Sequence, residues 1–169
     1  MINDKEKYIT SDTLMIGSTD TNIPLSPAEW HPKVRKLYNY WLSIHPEGEG
    51  LPTREYFDPI DVADILPLVW MLDVHRDPLR FKFRLLGTGL TPILGKDPTG
   101  VWLDEAFPGA ISSGAYDDYK YIVETKSALY RKGTPQYIVP EYKTIERLLM
   151  PLVDKNNDCV ILLGISVYT

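Results

Sequence analysis

Apolar residues along this chain change period several times, and each change marks an element. Trp30, Val34, Leu37, Tyr38, Trp41 and Leu42 recur at spacings of three and four, placing them on one stripe of a helix. Ser26-Pro27-Ala28-Glu29 supplies its start, with Ser at the cap, Pro at the first helical position and Glu three residues after the Ser. The pattern predicts a helix from Pro27 to His45, ended by Pro46-Glu47-Gly48-Glu49-Gly50. The run from Asp58 to Leu66 reads as cap, proline and short helix, stopped by Pro67.

The period then falls to two. Leu68 to Val74 and Leu79 to Leu85 read as strands joined by a turn at His75-Arg76-Asp77-Pro78. In the second, Leu79, Phe81, Phe83 and Leu85 share one face and Arg80, Lys82 and Arg84 the other, so one face is core and the other polar or covered. Between Gly87 and Gly109 glycines and prolines punctuate the chain too often for a long element. A second long helix is predicted from Ser113 to Arg131, with Lys126 interrupting its stripe and snorkelling, and Gly133 ending it. Three strands follow: Gln136 to Val139, Thr144 to Val153, and Cys159 to Tyr168, the last two joined by Asp154-Lys155-Asn156-Asn157-Asp158. Residues 1–25, rich in Asp, Thr, Ser and Asn, read as a mobile or loosely docked tail, and residues 26–169 as one domain. The order specifies an α+β fold on an antiparallel sheet.

Composition narrows the function classes. A chain with 44% hydrophobic and 24% charged residues folds rather than remaining disordered. A net charge of -5 disfavours a broad nucleic-acid footprint, which needs clustered Lys and Arg. The basic groups at Lys33-Val34-Arg35-Lys36 and Arg131-Lys132 read as solvated helix surface. One cysteine, Cys159, excludes an internal disulfide and fits a reducing, cytoplasmic setting. No apolar run approaches 18 residues, so no membrane span is expected.

Candidate chemistry is sparse. His31, His45 and His75 fall at a helix start, a helix end and a turn, so no metal site is expected. Cys159 lacks a local His partner and reads as a small core residue. Gly87-Thr88-Gly89 follows a strand but lacks the third glycine of a dinucleotide loop and the Gly-Lys-Ser/Thr ending of a phosphate loop. Asp58, Asp61 and Asp64 recur every three residues and read as capping and surface acids. Arg54 and Arg84 are candidates for an anion clamp or for structural ion pairs, Arg84 with one of those aspartates. Trp70, Phe81, Phe83, Trp102, Phe107, Tyr116 and Tyr119 either wall a ligand cavity or form plain core. No catalytic residues emerge.

Several local motifs carry a resemblance. Leu51-Pro52-Thr53-Arg54 with Asp58-Pro59, Ile65-Leu66-Pro67, Phe83-Arg84-Leu85-Leu86-Gly87-Thr88, Gly95-Lys96-Asp97-Pro98-Thr99-Gly100 and Leu149-Met150-Pro151-Leu152 occur in that order. Together they resemble the bacterial stand-alone PAS-like family called the PAS_5 group, from about Trp30 to Tyr168. The resemblance implies a five-stranded antiparallel sheet with short helices and one long helix on one face, leaving a pocket between. It implies that the helix at Pro27 to His45 covers the outer sheet face or pairs with a second copy, making Trp30, Val34, Leu37 and Trp41 interface candidates in a homodimer. Residues 89–114 hold no cysteine and the predicted long helix no histidine, so neither flavin photochemistry nor haem is expected, and no cofactor is assigned. No output segment follows Tyr168, so a sensor of this kind is expected to signal by binding another molecule.

Three functions follow as expectations. The first is a non-enzymatic sensory module that binds a small ligand or a protein partner and relays a conformational change. The second is an enzyme or carrier using the same cavity, with Arg84 clamping an anion. The third is an adaptor with a filled core.

Overall fold

The two strands nearest the C-terminus are apolar at almost every position, which only a strand covered on both faces can tolerate. The computed structural model describes residues 9–14, 26–47, 50–112, 114–133 and 142–169, and it places these strands at the centre of the sheet. They are β5 (Ile145–Val153) and β6 (Cys159–Tyr168), an antiparallel pair joined by a turn in which the Asp154 carboxylate accepts from the Asn156 and Asp158 amides. On one side β6 pairs with β2 (Val69–His75), which forms a hairpin with β3 (Arg80–Leu86); on the other β5 pairs with β4 (Ala128–Gly133). Five antiparallel strands are present, as expected, and they run in the order β4-β5-β6-β2-β3. A sixth, β1 (Ile9–Leu14), lies parallel to β4 at the edge, within the stretch read from sequence as a tail.

The long helix splits where it was read as continuous. Helix α1 spans Pro32–Ser43, preceded by a 3-10 turn at Pro27–Glu29, because Pro32 bars His31 from helical torsions and restarts the helix with His31 as its cap. Trp30, Val34, Leu37 and Trp41 are all buried, in one core with Val69, Met71, Leu148, Met150, Leu163 and Ile165 of the sheet. The helix therefore covers the outer sheet face of its own chain, and the four residues named as dimer-interface candidates are interior. Each such side chain contributes about 1.5–3 kcal/mol by leaving water.

A second correction concerns the predicted helix from Ser113 to Arg131. Helix α5 covers only Ala115–Thr125; Lys126 takes a left-handed cap conformation (φ 56°) and the chain turns into β4. Ala128, Leu129 and Tyr130 are buried on alternating faces, so three consecutive apolar residues imitate a helix stripe. Lys126, taken as a snorkelling interruption, is the end of the helix. Pro67 likewise does not end an α-helix: the region holds two 3-10 turns, Pro59–Val62 and Leu66–Leu68, and Pro67 is inside the second. The predicted strand at Gln136 to Val139 falls outside the described residues.

The middle of the chain forms single helical turns, α2 (Thr91–Leu94), α3 (Leu103–Ala106) and α4 (Gly109–Ser112), which with α5 cover the other sheet face. The sheet is thus a partition between two cores. One, under α1, gathers Val69, Met71, Leu148 and Met150; the other, under α2 to α5, gathers Trp70, Leu72, Leu149 and Leu162. Beyond the start of β4, the Trp41 indole donates to the Pro151 carbonyl at 3.1 Å and the Val153 amide to Pro52 O at 3.0 Å. These contacts cover a sheet edge that would otherwise be open, at the place where Pro151 can sit in a central strand.

Candidate functional site

The helix-facing side of the sheet collects most of the aromatic candidates. Trp70 alternates to this side of β2, and its Nε1–H donates to Ser166 Oγ at 2.9 Å in a buried bond. Its ring meets Tyr119 of α5 edge-on at 6.1 Å; Phe81 of β3 meets Tyr119 at 5.5 Å and Tyr116 at 5.8 Å. Phe83 meets Phe107 at 5.7 Å, and the Tyr116 hydroxyl donates to Leu79 O at 3.0 Å. These separations are those of favourable edge-to-face pairs. Gly164 makes the arrangement possible, since a Cβ there would lie 2.5 Å from Cε2 of Trp70.

Trp102 does not join them. It stacks with Arg80 (4.1 Å to the guanidinium carbon), with Lys82 at 5.2 Å and edge-on with His75, the residues that alternate away from Phe81 and Phe83. Arg80 is held there by a two-point bond to Asp104, which draws the Asp104 carboxyl below its usual range. Trp102 thus belongs to the polar surface of β2 and β3 that α1 leaves uncovered.

The clamp candidates resolve to structural roles. Arg84 is exposed on that same surface and pairs with Asp73 at 2.6 Å, an ion pair as expected but with a cross-strand neighbour rather than Asp58, Asp61 or Asp64. Arg54 is exposed, donates to Phe57 O at 3.1 Å and lies over the Phe57 ring. Asp58 accepts from the Ile60 amide, Asp61 approaches the Tyr40 hydroxyl at 3.3 Å, and Asp64 pairs with Lys36. Gly87 and Gly89 are needed for close approach: a Cβ on Gly87 would meet Pro67 O at 2.2 Å, and the two amides donate to Val69 O and Pro67 O. Cys159 is fully buried, and burial pushes its thiol up to about 12. His31 caps α1, His45 bonds the Trp41 carbonyl at 2.8 Å, and His75 lies against Trp102. Among the described residues no group of three His, Cys, Asp or Glu could hold a metal ion.

Two polar clusters escaped the sequence reading, which took Arg131-Lys132 for solvated helix surface; both residues lie on β4 instead, and Arg131 is largely buried. On the helix-facing side Asp118, in the first turn of α5, is 3% exposed and accepts from Arg131 of β4 through both carboxylate oxygens, the Nε contact at 2.7 Å. Arg147 of β5, directly opposite Arg131 in register, reaches the same carboxylate at 3.4 Å, its guanidinium 5.9 Å from the Tyr119 ring centre. Two like charges opposed across strands repel, and Asp118 is what reconciles them. On the outer face Glu146 accepts from the Tyr130 hydroxyl at 3.0 Å and from the His31 amide at 2.8 Å, with Lys132 at 3.6 Å. Burial, with Glu146 beside it, raises the Tyr130 phenol above its ordinary range. The available signal was a charged residue inside an apolar strand: Arg131 after Ala-Leu-Tyr, and Glu146-Arg147 before Leu-Leu-Met.

Comparison with known proteins agrees with this architecture. The PAS_5 family of PAS domains matches residues 30–167, and the chain belongs to that family. Its fold is a PAS-like α+β fold, and a PAS domain of this kind is in general terms a sensory or signalling module. A similar solved structure is that of an RNA-binding light-oxygen-voltage receptor, at 12% identity and a TM-score of 0.45 over 73% of this chain. The match spans 35% of that receptor, about a third of its length. No curated protein matches the chain. Among the described residues no helix is long and apolar enough to cross a membrane.

Proposed function

We propose that this PAS domain is a non-enzymatic sensory module that binds a small molecule on the helix-facing side of its sheet and passes the resulting change to a protein partner. The observation that carries this reading is the grouping there of Trp70, Phe81, Tyr116 and Tyr119 beside the buried Asp118, Arg131 and Arg147 cluster. Apolar walls with a few placed polar groups are the make-up of small-molecule sites. The carrier or enzyme reading, by contrast, relied on Arg84, which sits on the opposite side of β3 in a pair with Asp73. An absorption spectrum of the purified chain, followed by mass spectrometry of what denaturation releases, tests the proposal. A stoichiometric organic molecule supports it; a colourless chain that releases nothing and gains no thermal stability from a metabolite library removes the ligand half of it.

A further inference from the structure

Three strands carry a polar row across the helix-facing side of the sheet. In register, Arg131 of β4 lies opposite Arg147 of β5, and Arg147 lies opposite Ser166 of β6. Neighbours in such a row are about 5 Å apart at the backbone, so two guanidiniums and a hydroxyl stand side by side at the margin of an apolar core. All three can donate. Asp118, the carboxylate that meets the two guanidiniums, comes from α5 and not from the sheet.

Stability alone does not call for this row. One guanidinium satisfies one carboxylate, and Arg131 already binds Asp118 through both of its oxygens. Arg147 sets a second cation directly opposite the first, a repulsive placement, and reaches the same carboxylate at 3.4 Å. Ser166, 5% exposed, adds a third donor: its Oγ accepts the Trp70 indole N–H at 2.9 Å, and among the described residues nothing accepts its own proton. Two aromatic rings stand beside these donors. Tyr119 has its ring centre 5.9 Å from the Arg147 guanidinium, and the Trp70 ring lies 6.1 Å from that of Tyr119. A row of donors beside ring walls matches the charged end and the flat body of an apolar carboxylic acid.

We infer that the Arg131-Arg147-Ser166 row is the recognition site for the carboxylate of a ligand whose apolar body lies against Tyr119 and Trp70, with Asp118 the internal carboxylate that this ligand displaces. This names the class of molecule for the ligand reading above, on which it rests. The planar group already seated on Arg131 has the two-point geometry that an incoming carboxylate would copy. Exchanging one carboxylate for another conserves the charge balance of the core, and the newcomer gains the Ser166 proton. A neutral ligand has no such exchange open to it, because displacing Asp118 would leave two opposed guanidiniums without their shared anion.

Thermal unfolding of the full chain with matched probes tests this: benzoate, phenylacetate and indole-3-acetate, each against its own amide at equal ionic strength. At least one acid is expected to stabilise the chain at a half-saturation concentration about tenfold or more below that of its amide. Arg147→Met and Ser166→Ala should each weaken that acid by about tenfold and leave the amide unchanged, a contrast that general destabilisation does not produce. Asp118→Asn, which keeps the shape and removes the competing charge, should bind the same acid about tenfold more tightly than the parent chain does, and it decides the matter if Arg147→Met does not fold. Acids that stabilise no better than their amides, no stabilisation by any of these probes, or an Asp118→Asn chain that binds the acid no more tightly overturns the inference. The ligand reading fails separately: a neutral molecule released on denaturation, or an amide that stabilises the chain as well as its acid, leaves that reading standing and removes only the carboxylate.

Discussion

A single methyl group at Gly164 should measure how tightly the helix-facing core is organised around Trp70. In Gly164→Ala the new Cβ would lie 2.5 Å, 2.7 Å and 2.9 Å from Cε2, Cζ2 and Cδ2 of that indole. Carbon atoms rest at about 3.5–4.0 Å, so the ring must retreat by roughly 1 Å. It has little room: Trp70 is 5% exposed, meets Tyr119 edge-on, and donates to Ser166 at 2.9 Å. A shift of that size breaks the hydrogen bond, at about 1–3 kcal/mol, and overpacking adds about 1–3 kcal/mol. Replacing a strand glycine returns about 0.5–1 kcal/mol through the unfolded chain. The net expectation is a loss of about 3 kcal/mol, or a Tm lower by roughly 6–12 °C in a domain of this size. Urea unfolding followed by far-UV circular dichroism gives the free energy, and the near-UV spectrum reports the indole environment. In a Trp70→Leu background the same substitution should cost much less, because the ring that it strikes is gone. A cost below about 0.5 kcal/mol in the parent chain, with an unchanged near-UV spectrum, would refute the packing argument.

Other substitutions separate the remaining assignments. Trp41→Phe leaves the buried Pro151 carbonyl without the indole donor and should cost about 1–3 kcal/mol, whereas Trp41→Asp buries a charge under α1 and should cost several kcal/mol, both by urea unfolding. An unchanged Tm in Trp41→Asp would contradict the covering role of α1. Gly87→Ala, driven against the Pro67 backbone, should cost about 3 kcal/mol, and Gly89→Ala, whose Cβ has 3.0 Å, about 1 kcal/mol; equal costs would argue against the close-approach reading. The Cys159 thiol has a folded-state pKa raised from 9.0 to about 12 by burial. Its stability contribution is therefore fully present below pH 9 and declines as pH rises towards 12, and Cys159→Ala should remove the part of the alkaline loss that begins near 9.

Much of the fold was legible because strands and helices bury different periods. The β2-β3 hairpin, β5, β6 and the α1 stripe all follow from spacing, and Phe81 and Phe83 alternate against Arg80 and Lys82 as the sequence indicates. Leu85, read onto the same core face, is exposed instead, because the register shifts between Phe83 and Leu85. What failed did so for definable reasons. Strand β4 is buried on both faces, so Ala128-Leu129-Tyr130 carries no alternation and reads as more helix. Strand β1 is a polar Ile-Thr-Ser-Asp-Thr-Leu segment that composition alone assigns to a tail. At the site, the aromatic group was visible by residue type except for Trp102, whose side of β3 depends on how the 100–102 segment bridges to Lys82 and Phe83. The Asp118 cluster was invisible because its members lie 13 and 29 residues apart and meet only when α5 folds over β4 and β5. The resemblance to PAS domains, carried by short ordered motifs, reached further than any single residue pattern.

The reading of this chain as a ligand-binding PAS module is tested most directly by the native mass of the purified protein, compared with the same measurement on Tyr119→Ala and Arg147→Met. The account predicts a discrete mass above the 19.3 kDa chain, lost on denaturation and reduced in occupancy in both variants. A bound mass that neither variant disturbs would place the ligand elsewhere, and a parent chain at its bare mass that no library compound stabilises would contradict the claim.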